Sequence, residues 1–410
     1  MSSILKKVVI IGGGFAGLRA LYRLSDYDYH FEVTVVDKSE TSLEKPALPE
    51  VAFDGKDLEH VHIDIAPQAR KHTAAFVEDE VDLIDTDAQK VVLKSGEKLA
   101  YDYVIIASGA IKDYDAIKGY REFGYSVCDD IEAKRLYERL KSFEGGHIVT
   151  GAAKSEFGTM VEAPNLKAPC EGPIGEVMFM IDHKLRKEGK RDRSTINVFS
   201  PAEIFFEDVG DEARAPVAKL MQERGIELTT AKELVEITKD KVIFSDGSSM
   251  DCDLAIIIPP YIAPEFIAKS GLGDDKGWVP VDKTMKHIGF DNIFAAGDVS
   301  ALAQPKLGHI AINQADVAVS SILKAENIEH EEVTFNPEVF CIMNMGGFDA
   351  ILIYSNALYN GEYDFAWHSP IAKMMKTGFD DEYHYTHGHM PPDIAVEALE
   401  SLLHKFGKKG

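Results

Sequence analysis

The stretch from Lys7 to Asp37 leaves the chain few choices of fold. Lys7–Ile11 reads as a short buried strand. Gly12-Gly13-Gly14-Phe15-Ala16-Gly17 follows it directly, and then a segment with Leu18, Leu21 and Leu24 on one helical face. A second strand, Phe31–Val36, ends in Asp37, twenty residues beyond Gly17. Strand, Gly-x-Gly-x-x-Gly, helix and then an acid is the dinucleotide-binding arrangement. Gly12, Gly14 and Gly17 permit a tight turn and let a pyrophosphate approach the N-terminus of the helix, where backbone N–H groups favour an anion. Asp37 is placed to accept hydrogen bonds from an adenosine ribose.

Further along, Lys45-Pro46-Ala47-Leu48-Pro49 reads as a rigid loop, and 81–99 as a small antiparallel insert with turns at Thr86-Asp87 and Ser95-Gly96. Tyr101–Ile106 is another strand, ending in Ala107-Ser108-Gly109. A second unit of the same kind begins at Gly145. His147–Thr150 is its first strand, but Gly151-Ala152-Ala153-Lys154 offers one glycine where a phosphate loop needs several. About twenty irregular residues intervene before Gly172-Pro173 opens a helix bearing Ile174, Val177, Met178, Ile181 and Leu185 on one face. Asn197–Phe199, Val242–Phe244 and Leu254–Ile258 supply more strands. The chain then returns to the first unit through Asn292–Asp298, a strand ending in Gly297-Asp298. The pattern predicts an α/β protein with two Rossmann-like units: residues 1–110 with 285–330, then 111–284, followed by a C-terminal region over 331–410.

The degraded loop carries an unusual residue. Cys170 stands in Ala168-Pro169-Cys170-Glu171-Gly172-Pro173, where phosphate-gripping glycines would otherwise be expected. A thiol there suggests sulfur chemistry in place of nicotinamide docking. Cys128 and Cys341 add to that idea if the fold brings them close. Cys252, just before Leu254–Ile258, reads as a structural thiol. Four cysteines in 410 residues do not make a disulfide framework, and an isolated pair that oxidises in a reducing compartment is more often catalytic than structural.

A net charge of −24 makes nucleic acid an unsuitable partner and agrees with a well-solvated surface. There is no apolar run of the roughly 18 residues a transmembrane helix needs. The run Val8–Ile11 is too short for a signal-peptide core and has no cleavage site, so the chain is expected to stay inside the cell.

The Gly12–Gly17 fingerprint, Ala107-Ser108-Gly109 and Ala296-Gly297-Asp298 resemble the two-dinucleotide-binding-domain flavoproteins. Within these, Cys128 in Tyr125-Ser126-Val127-Cys128, Cys170 in Cys-Glu-Gly-Pro, and Cys341 are similar to sulfide:quinone oxidoreductases of the archaeal type, and the likeness runs over nearly the whole chain. The flavin motifs are widely shared; the three-cysteine placement is specific. The resemblance implies FAD in the first unit, with Gly12, Gly14 and Gly17 at the pyrophosphate and Asp37 at the ribose. It places Asp298 at the ribitol and Lys306 with its neighbours near the flavin ring, and it adds Phe15, Ala16, Lys38, Pro46, Ser108, Gly109, Gly297 and Gly308 to the cofactor-binding set. It implies Cys170 and Cys341 as a redox pair, opened by sulfide to a persulfide and a thiolate, with Cys128 as a third redox partner, a flavin attachment point or a bystander. Glu171 is either a proton acceptor for hydrogen sulfide or a capping or pairing carboxylate. The dipole of the helix after Gly172 is expected to lower the Cys170 pKa.

A quinone acceptor requires contact with lipid, as a peripheral membrane protein on the cytoplasmic face. The apolar and basic run Ile371–Lys376 suits that, as does an amphipathic stripe over 393–406 with Ile394, Ala398, Leu399, Leu402, Leu403 and Phe406 on one face and His404, Lys405, Lys408 and Lys409 nearby. The stripe equally suits packing on the protein's own core or on a second copy in a homo-oligomer. Phe348, Phe379 and Tyr383 are candidates to sandwich a quinone ring. His384, His387 and His389 read as solvated, with no metal implied. The competing readings are a type II NADH:quinone oxidoreductase, the flavoprotein subunit of a soluble sulfide dehydrogenase with a cytochrome acceptor, and a flavin-binding sensor, which would need no cysteine pair.

Overall fold

The computed structural model describes residues 5–391, 401 and 403–405. The first unit is a five-stranded parallel sheet in the order Ile293–Ala295, Tyr103–Ile106, Lys6–Ile11, Phe31–Asp37, Ala75–Glu78. The near-continuous apolar strands Tyr103–Ile106 and Lys6–Ile11 take the centre because both of their faces are covered. One cover is the helix Phe15–Ser25 packed on the helix Gly308–Ala325. The antiparallel insert consists of Val81–Asp85, Lys90–Leu93 and Lys98–Ala100, as the turn residues predict. Ala75–Glu78 was not foreseen, because its two ends are exposed and its two central residues only half-buried, so no buried apolar run marks it.

The second unit repeats the design: Gly124–Tyr125, Leu254–Ile258, His147–Ala152, Thr195–Phe199 and Ile226–Thr229 form another parallel sheet. Val242–Phe244 falls outside it, in a separate antiparallel sheet. Ile111–Lys112 pairs with Tyr261–Ile262 where the chain passes between the units. After residue 330 the chain forms a third, antiparallel sheet of Val339–Asn344, Ala350–Ser355 and Asp364–His368, backed by the helix Pro370–Tyr385.

Three expectations change. Lys45–Pro49 is no loop: Lys45–Ala47 is a 3₁₀ turn leading into the helix Leu48–Asp54, and Pro49 is tolerated because it stands in the first helical turn. Ile371–Lys376 is not a uniform membrane-facing run. Ile371 and Met374 are exposed, whereas Ala372 and Lys376 are buried on the opposite helix face. His389 is not solvated: its ring stacks on Tyr22 at 3.7 Å and lies 5.1 Å from the His72 ring. Most of the stripe over 393–406 lies outside the described residues, among them Ile394, Ala398, Leu399, Leu402 and Phe406, as do Lys408 and Lys409. Of its described members, Leu403 is buried against Ala350, Leu352, Tyr354 and Ala372, and His404 stacks on Tyr363 at 3.9 Å. At those two positions the stripe packs on the protein's own core.

Candidate active site

Two bare helix positions bring the cysteines together. The helix Gly172–Lys187 follows Cys170 immediately, and Gly172 and Gly175 lie on one of its faces. The strand Val339–Asn344 runs across that face. A Cβ on Gly175 would strike the Met343 side chain. A Cβ on Gly172 would lie 3.3 Å from Cys341 Sγ and 3.7 Å from Cys170 Sγ, which holds the two sulfurs within the sum of those distances of each other. The strand is fixed in register by Asn344, whose N–H donates to Glu176 Oε1 at 2.9 Å. Both thiols are free in this structure, Cys170 buried and Cys341 half-buried.

The Cys170 loop is braced from below. Glu207 Oε1 accepts from the N–H groups of Lys167 and Ala168, at 2.5 and 2.9 Å. Glu171 is a pairing carboxylate: it accepts from Ser200 Oγ at 2.6 Å and from the Glu207 N–H at 3.1 Å, and it does not cap the helix. Burial raises its pKa to about 8. The Lys306 N–H closes the loop by donating to the Pro169 carbonyl at 2.9 Å.

A cavity of about 10 Å³, enough for one water-sized molecule, opens beside the sulfurs. Gly172, Phe206, Asp208, Val209, Leu307, Val339, Cys341 and Ile353 line it. Its one carboxylate, Asp208, is buried, and its Oδ1 has no hydrogen-bond partner among the described residues. Burial raises its pKa to about 7. Sequence reasoning missed Asp208 because it stands in an irregular stretch, Pro201–Gly210, with no spacing to mark it. The expected lowering of the Cys170 pKa is reversed. Burial and the Asp208 charge push it well above the ordinary thiol value, outweighing the Gly172 N–H. Burial likewise pushes Cys341 up to about 12, against the pull of Lys376.

Cys128 lies nearby but outside this pair. Its Sγ is 3.6 Å from the Tyr261 hydroxyl, and Tyr261 is coupled electrostatically to Cys128, Asp298 and Cys170. The Lys112 ammonium stands over the Tyr261 ring at 4.2 Å. Cys252 is buried in a separate cluster with Val149, Phe244 and Leu254's neighbour Ala255.

The first unit offers a cradle of the right shape for a dinucleotide. Gly12 has φ +106, and a side chain there would run into the Ala107–Ser108 backbone. In front of Gly14 there is open space, and no side chain caps the helix Phe15–Ser25, so its first N–H groups point into that space. Asp37 stands at the strand end, its oxygens accepting from Gly13 N–H at 2.6 Å and Ser39 N–H at 2.8 Å, with exposed Lys38 beside it. Gly109 borders open space, and the buried Ser108 Oγ has no partner among the described residues. Asp298 lies 3.9 Å from Lys45, and Lys45, Lys112 and Lys306 keep its pKa low against burial. Lys306 is held over the Trp278 ring at 4.1 Å, and burial lowers its pKa to about 7. Gly308 opens its helix with Phe15 as neighbour, and Ala16 is buried beneath Gly297. These groups fit FAD: an anion-ready helix end, a carboxylate for the ribose and a second, cation-ringed carboxylate farther along.

Where the second unit would need a phosphate loop, the chain does something else. A Cβ on Gly151 would meet Phe199, so that glycine serves strand packing. Beyond it the backbone returns to the sheet through Ala153 N–H to the Ile258 carbonyl at 2.8 Å.

The pattern described as pyridine nucleotide-disulphide oxidoreductase matches residues 6–319. The chain belongs to that family. It is 25% identical to the sulfide-quinone reductase of Aquifex aeolicus, over 97% of this chain and 95% of that one. It is 26% identical to the mitochondrial sulfide:quinone oxidoreductase of Dictyostelium discoideum, over 77% and 70%. The solved structure of the Aquifex aeolicus sulfide:quinone oxidoreductase superposes with a TM-score of 0.82 at 23% identity, covering 96% of this chain and 95% of that one, which establishes the shared fold.

The expected quinone aromatics do not form a three-ring sandwich. Phe379 and Tyr383 stack on each other at 5.9 Å, and Tyr383 stacks on Phe15 at 4.7 Å, so these rings make one continuous wall. Phe348 is 90% exposed at the tip of the turn between Val339–Asn344 and Ala350–Ser355. Among the described residues no group of side chains is arranged to hold a metal ion.

The proximity of the sulfurs generates a prediction. Mild oxidation of the intact protein, followed by peptide mapping, should join Cys170 to Cys341 and leave Cys252 free. A predominant Cys128–Cys170 link would mean that the Gly172 approach is not what pairs the thiols.

Proposed function

We propose that this protein oxidises sulfide at the Cys170–Cys341 pair and passes the electrons to a membrane quinone, as a sulfide:quinone oxidoreductase. The observation that carries the reading is the meeting of two cysteines, from sequence positions 170 and 341, around Gly172 at a cavity with a single unpaired carboxylate. FAD, held by Gly12, Gly14, Phe15, Ala16, Gly17, Asp37, Lys38, Pro46, Ser108, Gly109, Gly297, Asp298, Lys306 and Gly308, supplies two-electron redox chemistry between the sulfur and the acceptor.

The chain's own residues divide the work. In the oxidised enzyme Cys170 and Cys341 are bonded. Hydrogen sulfide entering the cavity gives its proton to Asp208, whose pKa of about 7 suits that exchange near neutrality. The resulting hydrosulfide attacks one sulfur of the pair, so that an S–S bond forms to sulfide as the Cys170–Cys341 bond breaks. Phe206, Val209, Leu307, Val339 and Ile353 keep water from competing. The thiol-raising environment makes the freed sulfur a strongly basic donor, which favours its giving up electrons over persisting as a thiolate. Glu171, fully engaged with Ser200 and Glu207, positions the loop. The degraded glycine loop supports sulfide over NADH as the electron source. We assign the units as residues 1–110 with 285–330, 111–284, and 331–410.

The acceptor side faces lipid in this reading. Phe348, Ile371 and Met374 are strongly exposed, with Trp367 beside them. The His368–Asp349 bond at 2.6 Å and the Ser369 N–H to Ala350 carbonyl bond at 3.1 Å hold these segments side by side. His183 packs under Gly346 and Gly347, and the nearby cations are matched by acids, Arg224 by Asp349 at 2.8 Å and Lys373 by Glu50 at 3.7 Å. The tip therefore meets a bilayer interface through its exposed apolar side chains. No described helix is long and apolar enough to cross a membrane.

Anaerobic addition of sulfide should bleach the flavin absorbance of the purified protein, and NADH should not; bleaching by NADH alone would contradict the reading. Cys170→Ser and Cys341→Ser should each remove sulfide bleaching while FAD stays bound. Asp208→Asn should slow it about 100-fold near neutrality. In the wild type the rate should fall as pH drops below 7, because protonated Asp208 can take no further proton.

Sedimentation with phosphatidylglycerol-containing vesicles should retain the wild type and lose Phe348→Ser/Met374→Ser. Equal retention would remove this tip from membrane docking.

A further inference from the structure

Five ionisable side chains lie together inside the protein on the far side of Cys341, and none of them enters the sulfur chemistry above. Lys376 and Asp380 project from one face of the helix Pro370–Tyr385. Facing them are Glu44, before the 3₁₀ turn Lys45–Ala47, Glu50 on the helix Leu48–Asp54, and Glu176 on the helix Gly172–Lys187. All five are buried. Lys376 Nζ donates to the Pro46 carbonyl at 2.8 Å and lies 3.7 Å from Asp380 and 3.9 Å from Glu176. Glu50 accepts from Asn344 Nδ2 at 2.7 Å and lies 3.7 Å from Lys373.

The cluster is short of both cations and donors. Four carboxylates share one fully buried ammonium. Among the described residues both oxygens of Glu44, 1% exposed, have no hydrogen-bond partner, nor have Glu50 Oε2, Asp380 Oδ1 or the hydroxyl of buried Tyr383. Such carboxylates cannot all be ionised, because an unpaired charge in this surrounding costs more than binding a proton. Burial, then the Asp380 charge, lifts the Glu44 pKa to about 8, against the pull of Lys56 and Lys376. Burial also raises Asp380, against Lys376, Lys56 and Lys373 and with Glu50. Lys376 stays charged: burial disfavours its ammonium, but Glu50, Glu176 and Asp380 outweigh that.

The cluster has two ends. One is the aromatic wall: Tyr383, coupled to Glu44, stacks on Phe379 and on Phe15 of the glycine fingerprint. The other is half-buried Lys56, with Lys373, His60 and His384 near the surface.

We propose that Glu44 and Asp380 form a proton store and relay for the acceptor half of the reaction, delivering protons from solvent to a quinone reduced beside Phe379 and Tyr383. The inference rests on the reading of the acceptor as a quinone. The balance requires such a route. Hydrogen sulfide yields one sulfur atom at the oxidation level of the element, two protons and two electrons. A quinone takes up two electrons and two protons to become a quinol. The sulfide protons are released at the sulfur cavity beside Asp208, whereas the quinone is reduced on the far side of Cys341, so the two protons it takes up need their own route from solvent.

The test separates the two half-reactions. The holoenzyme is reduced with dithionite, without sulfide, and mixed anaerobically with a short-chain ubiquinone at a series of pH values. Wild-type reoxidation should slow above pH about 8, as Glu44 loses its proton. Glu44→Gln should be about 100-fold slower near neutrality and lose that limb, and Asp380→Asn should be slowed in the same direction. Flavin bleaching by sulfide should stay within twofold of wild type in both. Should Glu44→Gln fail to fold, Glu44→Asp, which keeps an acid, should retain the alkaline limb at a displaced pH. Independently of turnover, the infrared difference spectrum of resting oxidised wild type minus Glu44→Gln should show a protonated carboxylic-acid carbonyl band that titrates near pH 8, over the contributions of Glu171 and Glu176 common to both. Reoxidation of Glu44→Gln at the wild-type rate, no such band in the difference spectrum, or a wild-type protein that quinone does not reoxidise would each overturn the proposal. Failure of sulfide to bleach a protein that otherwise behaves as described would overturn the sulfide reading alone.

Discussion

The close approach of the strand Val339–Asn344 to the start of the helix Gly172–Lys187 is the contact on which the rest of the site depends. It exists because Gly172 and Gly175 present no side chains on that face. Any Cβ at Gly175 would meet Met343, and one at Gly172 would sit between two sulfurs. The same approach sets Glu176 under Asn344 and so fixes the register that turns Cys341 inward. A cysteine before the helix and a cysteine on a distant sheet thereby become one reactive unit, and the cavity beside them is closed by residues from both.

Electrostatics then divide the interior into two territories. The cavity lining beside the sulfurs is apolar apart from Asp208, and both thiols are pushed towards the neutral form. On the other side of Cys341 lies the carboxylate cluster held by Lys376. Nearer the glycine fingerprint, Lys45, Lys112 and Lys306 surround Asp298. A nucleophilic substitution at sulfur, a proton-consuming reduction and an anion-binding cradle need these three different surroundings, and the two parallel sheets with their appended third sheet keep them apart.

Much of this was legible in the sequence. Gly12–Gly17 with Asp37 marks a strand–turn–helix whose geometry tolerates little else, and the first sheet forms where that pattern places it. The apolar face Ile174–Leu185 correctly announced a buried helix. What could not be read was contact between distant segments. Lys376 looks like a surface lysine in Ile371–Lys376, and only the packing of helix Pro370–Tyr385 on Glu50 and Glu176 makes it interior. Asp208 has no periodic neighbours to single it out. The direction of the Cys170 shift was misread because a helix end is visible in sequence and the depth of burial is not. The Gly172–x–x–Gly175 spacing was a usable signal for a close neighbour, though not for which one.

The central claim is that sulfide attacks the Cys170–Cys341 pair and that its sulfur is carried there. Its most direct test is mass spectrometry of the oxidised protein after one equivalent of sulfide, with no quinone present and free thiols alkylated. The account predicts one added sulfur on the peptide of Cys170 or Cys341, and none on those of Cys128 or Cys252. A bleached flavin with no added sulfur at either Cys170 or Cys341 would contradict it.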